Sequence, residues 1–334
     1  MPDALVRYLV FLAETLTVVV GIVVLVAVLG VLSRRGRPQS RLQVRDAGER
    51  YDRLGWTLRA HTLPKALYKS EVKADKRRRK ARRTAEKSAT APRRRIFVLD
   101  FKGDPMASRV SSLREEVTAV LAVANERDEV VVRIENPGGF VHEQGLAASQ
   151  LLRIRSRGIP LTVAVDTMAA SGGYLMACVA SKIVAAPFAV VGSIGVVAQV
   201  PNFYRLLDRA GVDVEQFTGG QFKRTVTMFG RNTDDDRRKL TEEVQDTHAL
   251  FKEFVAEHRP SLDLDVVATG EHWYGARALS LGLVDELMTS DDYLVAARPE
   301  ADVYEVGYSP RRTVRRAMAD AVRAALPAAR PGPV

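Results

Sequence analysis

The chain has 334 residues, 50 Lys and Arg against 40 Asp and Glu, and a net charge of +10. Its single cysteine, Cys178, excludes an internal disulfide framework and a cysteine-built zinc site. The length allows one large domain or two modest ones, and an apolar fraction of 46% supports an ordinary core.

The first element is an uncharged apolar run, Thr15–Ser33. At 1.5 Å rise per residue it spans roughly 28 Å, close to the hydrocarbon thickness of a bilayer. Its basic residues, Arg34, Arg35 and Arg37, follow the run instead of preceding it. That order predicts a retained transmembrane helix over a cleaved signal peptide. The same basic flank favours a body on the cytoplasmic side.

The positive charge is local. Residues 34–95 carry 22 Lys and Arg against 6 Asp and Glu, so the remainder is net acidic. Lys76–Arg83 and Arg93–Arg95 are the densest runs. This arm reads as a solvated linker, with anionic headgroups as the next candidate partner. Nucleic acid has only the charge in its favour, because no aromatic interleaving or recognition motif accompanies it.

From Ile96 the pattern becomes alternating strands and helices. Arg95–Phe101 is a strand, Val110–Glu126 a helix and Glu129–Glu135 a second strand ending in Asn136-Pro137-Gly138-Gly139. A helix follows over His142–Arg157, then the strand Leu161–Val165. Ser171 opens a further helix, and Lys182–Ala186 is the next strand, before breaks at Pro187 and Gly192–Gly195. This order predicts an α/β fold with a mostly parallel sheet covered by helices. The spacing of the units fits repeated ββα turns and an open doubly wound sheet equally well. Asp234–Arg259 reads as an amphipathic helix that suits either a surface or an interface.

Ser171 stands where an apolar strand turns through small residues into a helix. A hydroxyl there lies beside unpaired N-terminal amides able to stabilise an oxyanion. The amide of Gly172 is one such donor. Gly138, in a turn with no Cβ in the way, is the other. Lys223, after the Gly219-Gly220 turn, is the candidate base, since a desolvated lysine can act on serine where arginine cannot. None of the five histidines sits in a recognisable triad frame, and no ligand cluster supports a metal. Cys178, inside an apolar helix, reads as a small core residue.

Four blocks carry a resemblance: Glu135–Gly139, Ala169–Tyr174, Val191–Val196 and Gly220–Thr225. In this order they resemble the signature blocks of the S49 peptidases of bacterial inner membranes. The resemblance covers the anchor and most of residues 96–290. It implies a ClpP/crotonase-like fold of repeated ββα units behind an N-terminal transmembrane helix. It also implies a Ser-Lys dyad of Ser171 and Lys223, oxyanion amides from Gly138 and Gly172, and a lysine-orienting hydroxyl from Ser193. No cofactor is implied. Two departures, Phe222 for a common Tyr and Asn136 for a common Ser, are not expected to touch the chemistry.

The expected organisation is an anchor over 1–33, a basic linker over 34–95, a catalytic domain over 96–295 and a basic amphipathic tail over 296–334. The tail has apolar residues at helical spacing from Val314 to Leu326. The expected activity is that of a membrane-anchored serine endopeptidase. Its substrates would be short or unfolded, largely apolar segments, such as signal-peptide remnants or misfolded membrane and secretory proteins. Expected partners are the bilayer and further copies of the chain in a ring. The location is a bacterial inner membrane, crossed once, with the side of the catalytic domain open: charge favours the cytoplasm, while members of the resembled family face the periplasm. The rival readings are a crotonase-like acyl-CoA enzyme and a non-catalytic membrane scaffold.

Overall fold

The computed structural model describes residues 7–8, 10–19, 21, 42–88 and 93–309. The chain divides into two compact units, residues 1–41 and 42–334. In the first, residues 10–19 are helical. Most of the expected membrane run Thr15–Ser33 lies outside the described residues, as does the expected tail helix from Val314 to Leu326. Among the described residues no helix is long and apolar enough to cross a membrane.

The second unit starts inside the stretch expected as a linker. Leu42–Asp46 forms β1, Ala47–Thr62 α1 and Lys65–Ser88 α2. Asp46 caps α1 by accepting the Glu49 amide, which satisfies one of the helix's orphan donors. Helix α2 folds back on α1 through an edge contact between Trp56 and Tyr68 and the ion pairs Arg59–Glu71 and Arg79–Asp52.

The body continues with β2 (Arg94–Lys102), α3 (Val110–Leu121), β3 (Glu129–Glu135), α4 (Val141–Arg155), β4 (Leu161–Val165) and β5 (Met168–Ala170). Next come α5 (Gly172–Ala177), β6 (Lys182–Ala185), β7 (Val190–Gly192), α6 (Tyr204–Arg209) and α7 (Asp234–His258). The chain then forms α8 (Leu264–Val267), β8 (His272–Tyr274), α9 (Gly275–Ser280), β9 (Glu286–Leu287), α10 (Ser290–Ala297) and β10 (Ala301–Tyr308).

Seven strands make one sheet in the order β1-β10-β2-β3-β4-β6-β9, parallel throughout except for the antiparallel edge strand β1. Both faces are covered, which explains its near-continuous apolar strands. Along β2, Phe97, Leu99 and Phe101 enter the core shared with α3, α4 and α5. The alternate residues Ile96 and Val98 join Ala47 of α1 and Leu294 of α10 on the other side.

A second sheet, β5-β7-β8, is built from short strands, two of which follow the main strands β4 and β6. After β4 the chain enters β5 and then α5; after β6 it enters β7. After β3, Asn136 bridges Ala169 in parallel before α4 begins. The architecture is therefore α/β with ββα units in succession. The parallel register Ala170↔Gly192 sets the ends of β5 and β7 side by side.

Candidate active site

Ser171 is the first residue beyond β5 and the N-cap of α5. Its backbone has φ 52° and ψ −117°, a conformation that costs a non-glycine residue about 1–3 kcal/mol. Its neighbours hold it there. The Ser171 amide donates to Gly192 O at 2.8 Å, and Ser171 O accepts the Leu175 amide at 2.9 Å. The side chain makes no capping bond. The hydroxyl is thus left to an open cleft, as at other strained strand-to-helix nucleophile turns.

The turn after β3 reaches the same corner. A Cβ on Gly138 would lie 2.8 Å from both Gly172 N and the Ser171 Cβ, and φ there is +92°. Only glycine fits. The Gly138 amide does not point freely into the cleft: it donates to Asn136 Oδ1 at 3.0 Å. The amide of Gly139 has no acceptor among the described residues. The amide of Gly172, at the first position of α5, is one of that helix's orphan donors.

Two buried side chains support this corner. Asn136 and Gln144 are both fully buried. Asn136 Nδ2 donates to Gln144 Oε1 at 2.9 Å, and Gln144 Nε2 donates to Asp104 O at 3.0 Å. A Cβ on Gly172 would meet Gln144 Cγ at 2.4 Å. One side-chain pair therefore backs both the glycine turn and the start of α5. Asn136, the departure not expected to touch the chemistry, lies behind the site, bonded to the Gly138 amide and to Gln144.

Ser193 follows β7 as Ser171 follows β5, and it too has φ 52°. Its amide donates to Glu271 O at 2.7 Å, and its hydroxyl donates to Gly270 O at 3.4 Å. Gly138, Ser171, Gly172 and Ser193 are thus gathered around one corner. Lys223 is not. It is exposed, outside the cleft lining, in the segment between α6 and α7, and its ammonium has no hydrogen bond or ion pair among the described residues.

The cleft in front of Ser171 has a volume of about 280 Å³. Val141, Leu175 and Val196 line it from the body, and Leu250, Phe251 and Phe254 line it from α7. Helix α7, legible in the sequence as amphipathic, therefore turns part of its apolar face to the serine. No histidine lines the cleft, and the described residues contain no cluster of metal-ligating side chains. Cys178 is fully buried in α5's C-terminal turn, where burial pushes its thiol up to about 12, as suits an inert core residue.

Comparison with known proteins matches the chain to proteases. The model for Peptidase family S49 matches residues 153–304, and that for Peptidase family S49 N-terminal matches residues 3–151. A relative from Haemophilus influenzae, named Probable protease SohB, is 46% identical, covering 93% of this chain and 91% of its own length. Another of the same name, from Buchnera aphidicola subsp. Schizaphis graminum, is 41% identical over 89% of this chain and 88% of its own. A solved membrane-bound stomatin-specific protease in complex with a substrate peptide is 11% identical with a TM-score of 0.42, covering 70% of this chain and 99% of that one. The chain belongs to peptidase family S49.

Proposed function

We propose that this peptidase is a membrane-anchored serine endopeptidase with Ser171 as nucleophile and Lys223 as general base. One observation carries the reading: a strained serine, its hydroxyl free of the capping role, faces an apolar cleft beside glycine amides. Neutral Lys223 takes the Ser171 proton as Oγ attacks a peptide carbonyl. The oxyanion is held by the Gly172 amide and by the Gly138–Gly139 turn. Lys223 then gives its proton to the leaving amine, and, neutral again, takes a proton from the water that hydrolyses the acyl-enzyme. Ser193 orients the lysine from the neighbouring strand end.

Lys223 has to approach the corner for this chemistry. Its segment also exposes Val212, Phe217 and Phe222. Burial of those side chains against another copy, in a homo-oligomeric ring, is our proposed means of docking the segment. The succession of ββα units supports assignment to the ClpP/crotonase-like class. Thr15–Ser33 is the proposed single-pass anchor in a bacterial inner membrane, on the strength of its length and lack of charge. The apolar lining favours short or unfolded apolar peptide segments. Signal-peptide remnants and misfolded membrane or secretory proteins are sources of such segments.

The test is cleavage of a peptide library by the detergent-solubilised full chain. Wild type should cut after apolar residues, and the Ser171→Ala and Lys223→Ala proteins should be inactive while retaining their helical content. Undiminished cleavage by either variant overturns the dyad.

A further inference from the structure

The densest charge in the chain is not spread around a loop. In α2, Lys65, Lys69, Lys73, Lys76, Arg77 and Lys80 are all exposed. At 100° per residue they fall within about 120° of arc, and they run about 22 Å along the helix. Tyr68, Glu71, Asp75 and Arg79 occupy the opposite arc and are engaged there: Tyr68 with Trp56, Glu71 with Arg59, and Arg79 with both Asp75 and Asp52. The inner face is thus tied down by α1 while the outer face is cationic. None of the six outer cations has an ion-pair partner among the described residues, although exposed pairs are common elsewhere on α2 and α7.

We propose that the outer face of α2 lies on an anionic membrane surface and holds the catalytic body against the bilayer. The proposal rests on reading Thr15–Ser33 as an anchor for the nearness of a bilayer, and on the stripe itself for the contact. Eight residues of chain lie between Ser33 and Leu42. At about 3.5 Å each, they limit β1 to within about 30 Å of the end of the apolar run. A straight row of unpaired cations suits a flat sheet of lipid phosphates. The cationic arc carries no large apolar residue, so the contact is electrostatic and not an insertion into the acyl region. A nucleic-acid site of this charge would gain its grip from stacking aromatics as well, and the outer arc has none. Such a contact sets the height and tilt of the cleft relative to the membrane, and so favours segments emerging from the bilayer.

The experiment uses the full chain reconstituted into vesicles of phosphatidylcholine alone or with about one third phosphatidylglycerol. Lysines are acetylated with an N-hydroxysuccinimide ester and read by mass spectrometry. Lys69, Lys73, Lys76 and Lys80 should react about fivefold more slowly on the anionic vesicles. High salt should restore their rates, because screening shortens the reach of surface charge. Lys239 of α7 should react equally on both. A Lys69→Glu, Lys73→Glu, Lys76→Glu protein, altered only at exposed positions, should lose the protection of Lys80. Equal rates on the two vesicles overturn the proposal, as does protection by duplex DNA without protection by phosphatidylglycerol. Alkaline carbonate distinguishes the anchor: release of the chain from phosphatidylcholine vesicles removes the anchor reading, while the acetylation contrast still tests the stripe.

Discussion

Asn136 Oδ1 accepts the Gly138 amide at 3.0 Å, while its Nδ2 donates to Gln144 Oε1 at 2.9 Å. The glycine turn at the proposed oxyanion site is therefore fixed by a buried side chain, and that side chain is fixed by a second one. An amide held two residues from its own asparagine is an Asx turn, so the device is local and built from sequence neighbours.

Asn136→Ala removes the acceptor for Gly138 and leaves Gln144 Oε1 buried without its donor. Turnover should fall by about 10²-fold, the scale of one misplaced oxyanion donor, with KM changing little. Asn136→Ser keeps a hydroxyl acceptor near Gly138 and should recover part of the rate. Steady-state kinetics on one apolar peptide, with thermal melts as a check on folding, separates this from simple destabilisation.

Lys223→Arg keeps the charge but offers no group that can lose a proton at working pH. It should be as inactive as Lys223→Ala. Near-normal turnover in the arginine protein would mean that Lys223 acts as a charge and not as a base. Cross-linking of the wild type should meanwhile capture oligomers, and Phe217→Asp should reduce both oligomer and activity, since it charges a side chain that is 89% exposed in the single chain.

Leu250 lines the cleft yet is 59% exposed, so a charge there is tolerated by the fold. Leu250→Asp should raise KM for apolar peptides by about tenfold, equivalent to roughly 1.4 kcal/mol, with little change in kcat. An unaltered KM would remove α7 from substrate binding.

The scaffold under α5 depends on Arg259, whose guanidinium meets Asp285 through two bonds of 2.8 and 2.9 Å and also donates to Gly282 O. Burial alone raises the Asp285 carboxyl, but the Arg259 bonds and the Ile183 amide hold it below its ordinary value. A carboxyl lowered on folding contributes stability that is present above its unfolded pKa of about 3.9 and is lost as pH falls through the folded value. Asp285→Asn should therefore lower stability at pH 7, by about 3 kcal/mol, and flatten the loss of stability below pH ~4. Urea melts at several pH values read both effects.

Much of this was legible in the chain. β3 and β4 have the bounds their apolar runs set, because each run is framed by charge, proline or glycine. α3 stops at Leu121, before the expected Glu126, and Ala122–Asp128 turns tightly into β3. The strands β5, β7 and β8 escaped notice because three residues are too few to show a period of two. β1 hid in a basic stretch whose charge reads as linker, although Leu42 and Val44 alternate with polar neighbours. The role of Asn136 had a signal in the Asn-Pro-Gly spacing of an Asx turn. Gln144 had none, since only folding brings a helix residue under Gly172. The strand-to-helix corner at Ser171 was legible from the apolar run and the small residues after it, whereas the exposed position of Lys223 was not, because it depends on how its segment packs.

The most direct measurement is the covalent one. The full chain is treated with a fluorophosphonate, digested and sequenced by mass spectrometry. The account requires one adduct on Ser171, slowed in Asn136→Ala and absent from Ser171→Ala together with peptide cleavage. An adduct on another residue, or peptide cleavage that persists in Ser171→Ala, would contradict it.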